Sequence, residues 1–351
     1  MAYTTINKST SYFNTKLYTG DGGTNNAQTG VGFRPDFIWF KRRSGSGNHF
    51  AADVVRGTYA DGYKLIVPND TDAEANYTYI KSLDSDGFTL GSNNSNVNGS
   101  GETYVAWNWL AGGSQGSSNT DGSTNTIYTS VNTTAGFSIS TYTGTGSAAT
   151  IGHGLGVAPK MIIVKRISST DSWTVGHDGL GWGKYLRLDT TAAEASNTST
   201  WNNTAPTSTV FSVNHDDTNA NGVTFVVYCF AEKTGYSKFG FYSGNANANG
   251  SFIYTGFKPA FLIVKATHSS TSESWLLLDS TRQPFNLNSK RIRPDNAGAE
   301  DTAAANGVDL LSNGFKIRTN DNRLNGGGQN LIYMAFGQSL VGSNDIPCTA
   351  R

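Results

Sequence analysis

At 351 residues the chain exceeds the roughly 250–300 residues at which a single hydrophobic core stops growing, which excludes a one-core protein and predicts several units. Only 15% of the residues are charged and the formal net charge is zero, so the polar surface must come from Ser, Thr, Asn and 41 Gly. No basic cluster is larger than Lys41-Arg42-Arg43, which excludes the electrostatic footprint of a nucleic-acid binder.

Val, Ile, Phe, Tyr and Thr gather in short runs bounded by Gly, Asn and Asp, the pattern of strands and their turns. Residues 1–10 form an N-terminal segment. They contain no apolar stretch of the kind a secretory signal needs, and no run in the chain approaches the ~18 apolar residues of a membrane span. Residues 11–113 then carry Tyr18-Thr19-Gly20, the turn Gly32-Phe33-Arg34-Pro35, the apolar run Phe37–Phe40 with Lys41, Asp53, Ala73-Glu74, Gly87-Phe88, and the closing run Tyr104–Trp109. Residues 114–134 are rich in Gly, Ser, Thr and Asn and read as a flexible linker or exposed loop.

The same series recurs over 135–234: Tyr142, Gly144, Gly156, Pro159, Lys165, Asp178, Ala193-Glu194, Phe211 and the run Phe225–Phe230. It recurs again over 235–341 as Tyr242, Gly244, Gly256, Pro259, Lys265, Asp279, Ala299-Glu300, Phe315 and the run Leu331–Phe336, before a tail at 342–351. From Tyr to Pro is seventeen positions in every copy and from Pro to Lys six more, so the copies are one unit repeated. Both apolar runs are continuous rather than alternating, which suits strands covered on both faces. The helical pattern is confined to single turns near Thr71–Ala75, Thr191–Ala195 and Asp301–Ala305. The expected fold is therefore all-β: three tandem homologous β-sandwich modules, jelly-roll or lectin/immunoglobulin-like, the second and third forming a rigid pair.

The repetition also weighs on the chemistry. A catalytic carboxylate needs one special environment, so the triplicated Glu74, Glu194 and Glu300 read as caps or ion-pair partners of the repeated Lys rather than as glycosidase acids. Lys41, Lys165 and Lys265 are expected to pair across a hairpin with Asp53, Asp178 and Asp279. Cys229 reads as a reduced core residue, and Cys348 falls in the tail. The five histidines lack zinc spacing; the acidic turns Asp84–Gly87 and His215–Gly222 are oxygen-rich enough for Ca²⁺ but lack the distal Glu of a calcium loop, so no cofactor is expected. Asp21–Asn26 and Asn325–Gly328 are loops without the Lys-Ser/Thr of a phosphate site. Trp107 and Trp109 share a strand face and read as core or contact between copies. Trp182 and Trp201, with Asn202, lie in polar stretches and are the candidate glycan- or partner-binding residues. Function is expected where the copies differ: the stretch after Gly113, the Trp182 and Trp201 loops, and Gly326–Gly328.

The opening MAYTTINKSTSYFNTKLYTGDGG, the block Gly32–Lys41, the turn Asp84–Phe88 and the ending Tyr104–Trp109 resemble structural proteins of tailed phages, especially marine phages and cyanophages, of the tail-fibre-like kind. The resemblance is strongest over residues 1–113. It implies a non-enzymatic virion protein made in the host cytoplasm, binding other virion proteins or host-surface polysaccharide, and assembling as a homo-oligomer, most simply a trimer. Capsid decoration or a connecting role in tail or baseplate is the alternative, and a polysaccharide depolymerase the third reading. Heptads, Gly-x-y tracts and shaft repeats are missing, so the expected shape is a compact body rather than a fibre.

Overall fold

The computed structural model describes residues 4–60, 62–268, 272–303 and 307–340; Cys348 lies outside them. The fold is all-β, with helix reduced to single turns such as Asp216–Asn219 and Asn322–Asn325. In the first copy the strands Phe13–Thr19, Thr103–Trp109, Phe37–Arg42 and Phe50–Asp53 form one antiparallel sheet in that order, and Asn26–Thr29, Gly87–Leu90 and Ile80–Asp84 form a second. The second copy repeats the main order with Phe137–Thr143, Thr224–Phe230, Met161–Arg166 and Thr174–His177, and the third with Ser237–Ser243, Asn330–Gly337, Pro259–Ala266 and Leu276–Asp279. The closing strand thus lies in mid-sheet, between the Tyr strand and the strand that follows Pro.

That position explains the unbroken apolar runs. Alternate residues of a strand face opposite ways, and here both ways are interior. In the second copy Val226, Tyr228, Phe230, Met161 and Ile163 join a central core, while Val227, Cys229, Ile162 and Val164 fill the copy's own interior. In the third, Ile332, Met334, Phe336, Phe261 and Ile263 face the central core and Leu331, Ala335, Leu262 and Val264 the local one. The central core draws on all three copies: Phe13 stacks on Phe336 at 5.0 Å, Trp109 meets Phe261 at 5.6 Å and Phe37 meets Tyr228 at 4.5 Å. The first copy is therefore coupled to both others, beyond the expected pairing of the second with the third.

Backbone hydrogen bonds close the arrangement into a ring. Glu74 N–H donates to Ile167 O at 3.0 Å, Glu194 N–H to Thr267 O at 2.7 Å, and Glu300 N–H to Arg43 O at 3.1 Å, so each copy's Ala-Glu segment docks on the next copy. Over their described residues these segments are extended, not the helical turns expected, because their N–H groups are used between copies; Ala304 and Ala305 of the third expected turn lie outside the described residues. The repeated lysines serve the same seams and do not pair with the Asp expected. Lys41 Nζ donates to Gly47 O and Ala297 O, Lys165 to Asp171 O and Thr71 O, and Lys265 to Glu273 O and Thr191 O. A third set follows suit: the side-chain N–H of Trp173 donates to Val67 O and that of Trp275 to Arg187 O. His49 accepts from Trp39 Nε1 on Nδ1, which leaves Nε2–H to donate to Arg293 O. The N-terminal segment joins in, with Leu340 N–H donating to Asn7 O and Ser9 Oγ to Gln338 O.

The repeated Tyr and Gly have a local cause. Tyr18, Tyr142 and Tyr242 donate their hydroxyls to Val97 O, Thr218 O and Leu324 O. Beside each acceptor is a fully buried Asn, at 98, 219 and 325, whose amide holds the loop that follows Gly20, Gly144 or Gly244. A Cβ on any of those glycines would lie 2.2 Å from a backbone oxygen, that of Gly99, Ala220 or Gly326. Gly144→Ala should therefore lower stability by about 1–3 kcal/mol, the cost of overpacking. A thermal melt unchanged within a degree would refute this.

Candidate ligand groove at an open seam

The residues singled out for binding are placed as follows. Trp201 is fully buried and Trp182 nearly so, their rings edge to face at 5.8 Å. Both lie over Gly176, where a Cβ would approach them to 2.7–2.8 Å. They fill the interior of the second copy and offer no surface to a sugar, although Asn202 beside them is exposed in a turn with φ 50°. The polar neighbours in sequence misled because the turn is polar while the rings fold beneath it. Large exposed aromatics occur instead at Tyr128 and, in the third copy, at Phe241, Phe252, Tyr254 and Phe285.

The stretch read as a linker is built structure. Tyr128–Asn132 is an edge strand paired with Phe137–Thr143 through a hairpin in which Gly136 takes φ 69° and Asn132 caps the turn. Its hydroxyls satisfy one another, Thr126 to Thr129 at 2.8 Å and Thr129 to Ser140 at 2.9 Å. Ser117 bridges to Thr129, and Gln115 Nε2 donates to Val55 O of the first copy at 2.9 Å.

That segment forms one wall of a groove, and the three seams show why the groove exists. At the seam of third and first copies Glu300 is saturated by Arg43 at 2.9 and 3.0 Å and by Arg282 at 3.1 Å. At the seam of second and third, Leu180 stands where Arg282 would be, and Glu194 pairs with Lys184 at 2.5 Å. At the seam of first and second, Ile167 replaces Arg43. Glu74 keeps Lys64 at 3.0 Å, while its Oε2 and Arg56 Nη1 stand 3.7 Å apart, both buried and neither hydrogen-bonded. Above them the seam stays open as a groove of about 380 Å³ lined by Lys64, Gln115, Ile127, Tyr128 and Ser168 among others. A second hollow of about 470 Å³ shares Arg56 and Gln115 with it and is lined also by Arg34, Thr58 and Tyr63. The central core, by contrast, encloses only about 20 Å³, room for no ligand.

The repeated carboxylates are used by the fold. Glu74, Glu194 and Glu300 form ion pairs, though with Lys64, Lys184, Arg43 and Arg282 rather than with the repeated Lys. Asp53 and Asp279 bind Arg56 and Arg282, and Asp178 binds Lys160 at 2.9 Å. In the acidic turns, Asp86 accepts from Gly30 and Gly32, Asp84 from Thr89, and Asp217 pairs with Arg187. Among the described residues no three His, Cys, Asp or Glu side chains gather to hold a metal ion, and no helix is long and apolar enough to cross a membrane. Cys229 is buried and free.

A family model described as a domain of unknown function, DUF7483, matches residues 8–339. The chain belongs to the DUF7483 family. The match spans all three sequence repeats, so the family unit covers them together rather than one of them. No curated protein and no solved structure matches the chain.

One carboxylate near the second hollow is titratable in a useful range. Asp36 Oδ2 accepts from Ala111 and Gly113 N–H at 2.8 and 2.7 Å, pinning the entry to the groove wall, while Oδ1 has only Arg34 at 3.7 Å. Burial raises its pKa to about 6, against the opposing pull of Gly113 N–H and Arg34. The native state then binds more protons than the unfolded chain between pH ~4 and ~6, so this group's contribution falls as pH rises through that window. Asp36→Asn keeps an acceptor for both N–H groups and should be more stable than wild type at pH 7 by on the order of 1 kcal/mol, with no gain at pH 3.5. Melting curves at the two pH values test it, and an equal effect at both would refute the assignment.

Proposed function

We propose that this DUF7483 protein is a non-enzymatic virion protein of a tailed phage, a compact tail-appendage module that recognises glycan on the host surface. The observation that carries the reading is the division of labour along the chain. Polar residues shared by the copies close the ring, whereas the one long segment without a counterpart, 114–134, walls an open groove of ligand size. The resemblance of residues 1–113 to tail-fibre-like proteins supports the virion setting. Against hydrolysis stands the use of all three repeated Glu in ion pairs at the seams. Purified protein should bind host cells and block phage adsorption, and host polysaccharide incubated with it should keep its length. Shortened polysaccharide would overturn the non-enzymatic reading.

A second reading, capsid decoration or a connecting part of tail or baseplate, is favoured by the third copy, where Phe241, Phe252, Tyr254 and Phe285 stand 45–80% exposed. Phenylalanine at such exposure suits burial against another protein better than a sugar. Cryo-electron microscopy of the particle separates the two: a position at the distal end of an appendage supports receptor binding, and one enclosed between virion proteins supports the connecting role.

A further inference from the structure

Resting on the glycan-binding reading, we propose that the seam between the first and second copies is the binding site, and that its ligand is an uncharged, extended oligosaccharide stacked on Tyr128. Three observations lead there. First, every charge lining the two hollows already has an opposite partner: Lys64 with Glu74 at 3.0 Å, Arg56 with Asp53 at 2.6 Å, Arg34 with Asp36 at 3.7 Å. An anionic or cationic ligand would find no unpaired charge to meet, and would have to break a pair to gain one. Second, the groove mixes apolar surface, from Ile127 and Tyr128 at 43% and 37% exposure, with the hydroxyl of exposed Ser168 and the amide of Gln115. A sugar ring offers the matching pair of surfaces, a C–H face and a hydroxyl edge. Third, the hollows of about 380 and 470 Å³ adjoin, sharing Arg56 and Gln115 in their linings, with Gln115 Nε2 held on Val55 O. A chain of several rings fits two hollows in series; a single small molecule leaves one empty.

A peptide is the less suited occupant. The mode open to it here is addition to the edge strand Tyr128–Asn132, and Thr129 in mid-strand already donates its N–H to Ser117 O at 2.7 Å. Residues 114–134 flank only this seam; among the described residues, the hollow of about 390 Å³ at the seam of second and third copies, lined by Lys160, Asp178, Phe239 and Phe241, has no such wall and no second hollow sharing its lining.

The test is a glycan array carrying neutral and uronate- or phosphate-containing bacterial polysaccharides, followed by titration with oligosaccharides of the retained class. Neutral glycans should be retained and the anionic set not. Tyr128→Ala should weaken binding at least tenfold with a wild-type melting curve, and Gln115→Ala several-fold with a melting point lowered by no more than a few degrees, while Phe285→Ser leaves affinity unchanged. Retention of the anionic set alone, retention of none, or full affinity in both groove variants would each overturn the site, as would displacement of the glycan by nothing but a displayed peptide. Host-cell binding by Tyr128→Ala equal to wild type would remove this site while leaving receptor recognition standing. Wild-type protein that binds neither cells nor any glycan would remove both.

Discussion

Arg56→Leu is expected to destabilise the protein by about 3–5 kcal/mol, yet the same change made together with Asp53→His and Tyr228→Met should cost less than half of that. Arg56 and Asp53 are wholly buried, with Nε to Oδ2 at 2.6 Å, and Tyr228 of the second copy donates its hydroxyl to the same oxygen at 2.7 Å. Removing the guanidinium alone strands a carboxylate in the interior. The third copy repeats the set: Arg282 holds Asp279 at 2.5 Å, and Trp107 of the first copy donates to it at 3.1 Å. In the second copy all three positions change together. Register places His177 where Asp53 and Asp279 stand, since it faces Met161 as they face Phe37 and Phe261. Three residues on is Leu180 in place of Arg, and the facing position across the seam is Met334 in place of Tyr or Trp. His177 keeps a ring nitrogen 3.2 Å from Tyr333 O and burial lowers its pKa to about 4, so the second copy's set is uncharged throughout. The triple variant installs that uncharged set in the first copy, where the carbonyl of Val227 is the counterpart of that of Tyr333. Urea unfolding of the single, double and triple variants measures the coupling. Additive losses would mean that the three positions do not act as one unit.

This trio also marks what could and could not be read from sequence. The all-β class, the fixed spacing of Tyr, Pro and Lys, and the two-sided burial of the apolar runs were legible because each follows from local pattern. The Asp-x-x-Arg pairs were present as Asp53–Arg56 and Asp279–Arg282, but the second copy offers Asp178 one residue from the true counterpart, His177, and alignment by residue type chose the wrong one. The partners of the lysines escape the sequence for a different reason. Their acceptors are main-chain oxygens from neighbouring copies, and a carbonyl leaves no mark in the sequence. The groove was hidden by composition: Ser, Thr and Asn at 114–134 read as a solvated linker, whereas their hydroxyls bond one another beside the sheet. The mark this segment leaves in the sequence is that the other copies have no counterpart to it. For Trp182 and Trp201 the missing signal was Gly176, whose bare backbone makes the room they occupy.

Stability should rise between pH 8 and 10, by on the order of 1 kcal/mol for each of Lys41, Lys165 and Lys265. Burial lowers each ammonium to about 8, from an ordinary value near 10.5 that the unfolded chain retains. Through that interval the unfolded state binds more protons than the native one, so raising the pH favours folding; below pH 8 the burial cost of the charge is borne in full. Loss of the proton need not disturb the seams. A neutral amine still has two N–H donors, and each lysine has two carbonyl acceptors, one in its own copy and one in a neighbour. The attraction of those carbonyls for the ammonium works in the other direction and holds the gain below what desolvation alone would give. The upper limit of the window comes from Tyr18, Tyr142, Tyr228, Tyr236 and Tyr242, whose burial raises them well above 10, so ionisation of the unfolded chain begins to oppose folding there. Lys165→Met separates charge from hydrogen bonding. It leaves Asp171 O without the lysine donor and Thr71 O with only the Asp171 N–H, and should cost about 2 kcal/mol at pH 7. Between pH 8 and 10 the variant's stability should climb by about two-thirds of the wild-type increment, because two of the three lysines remain. Denaturant unfolding at half-unit pH steps reads both effects, and a wild-type curve flat or falling from pH 8 to 10 would show that the native lysines keep their ordinary affinity for protons.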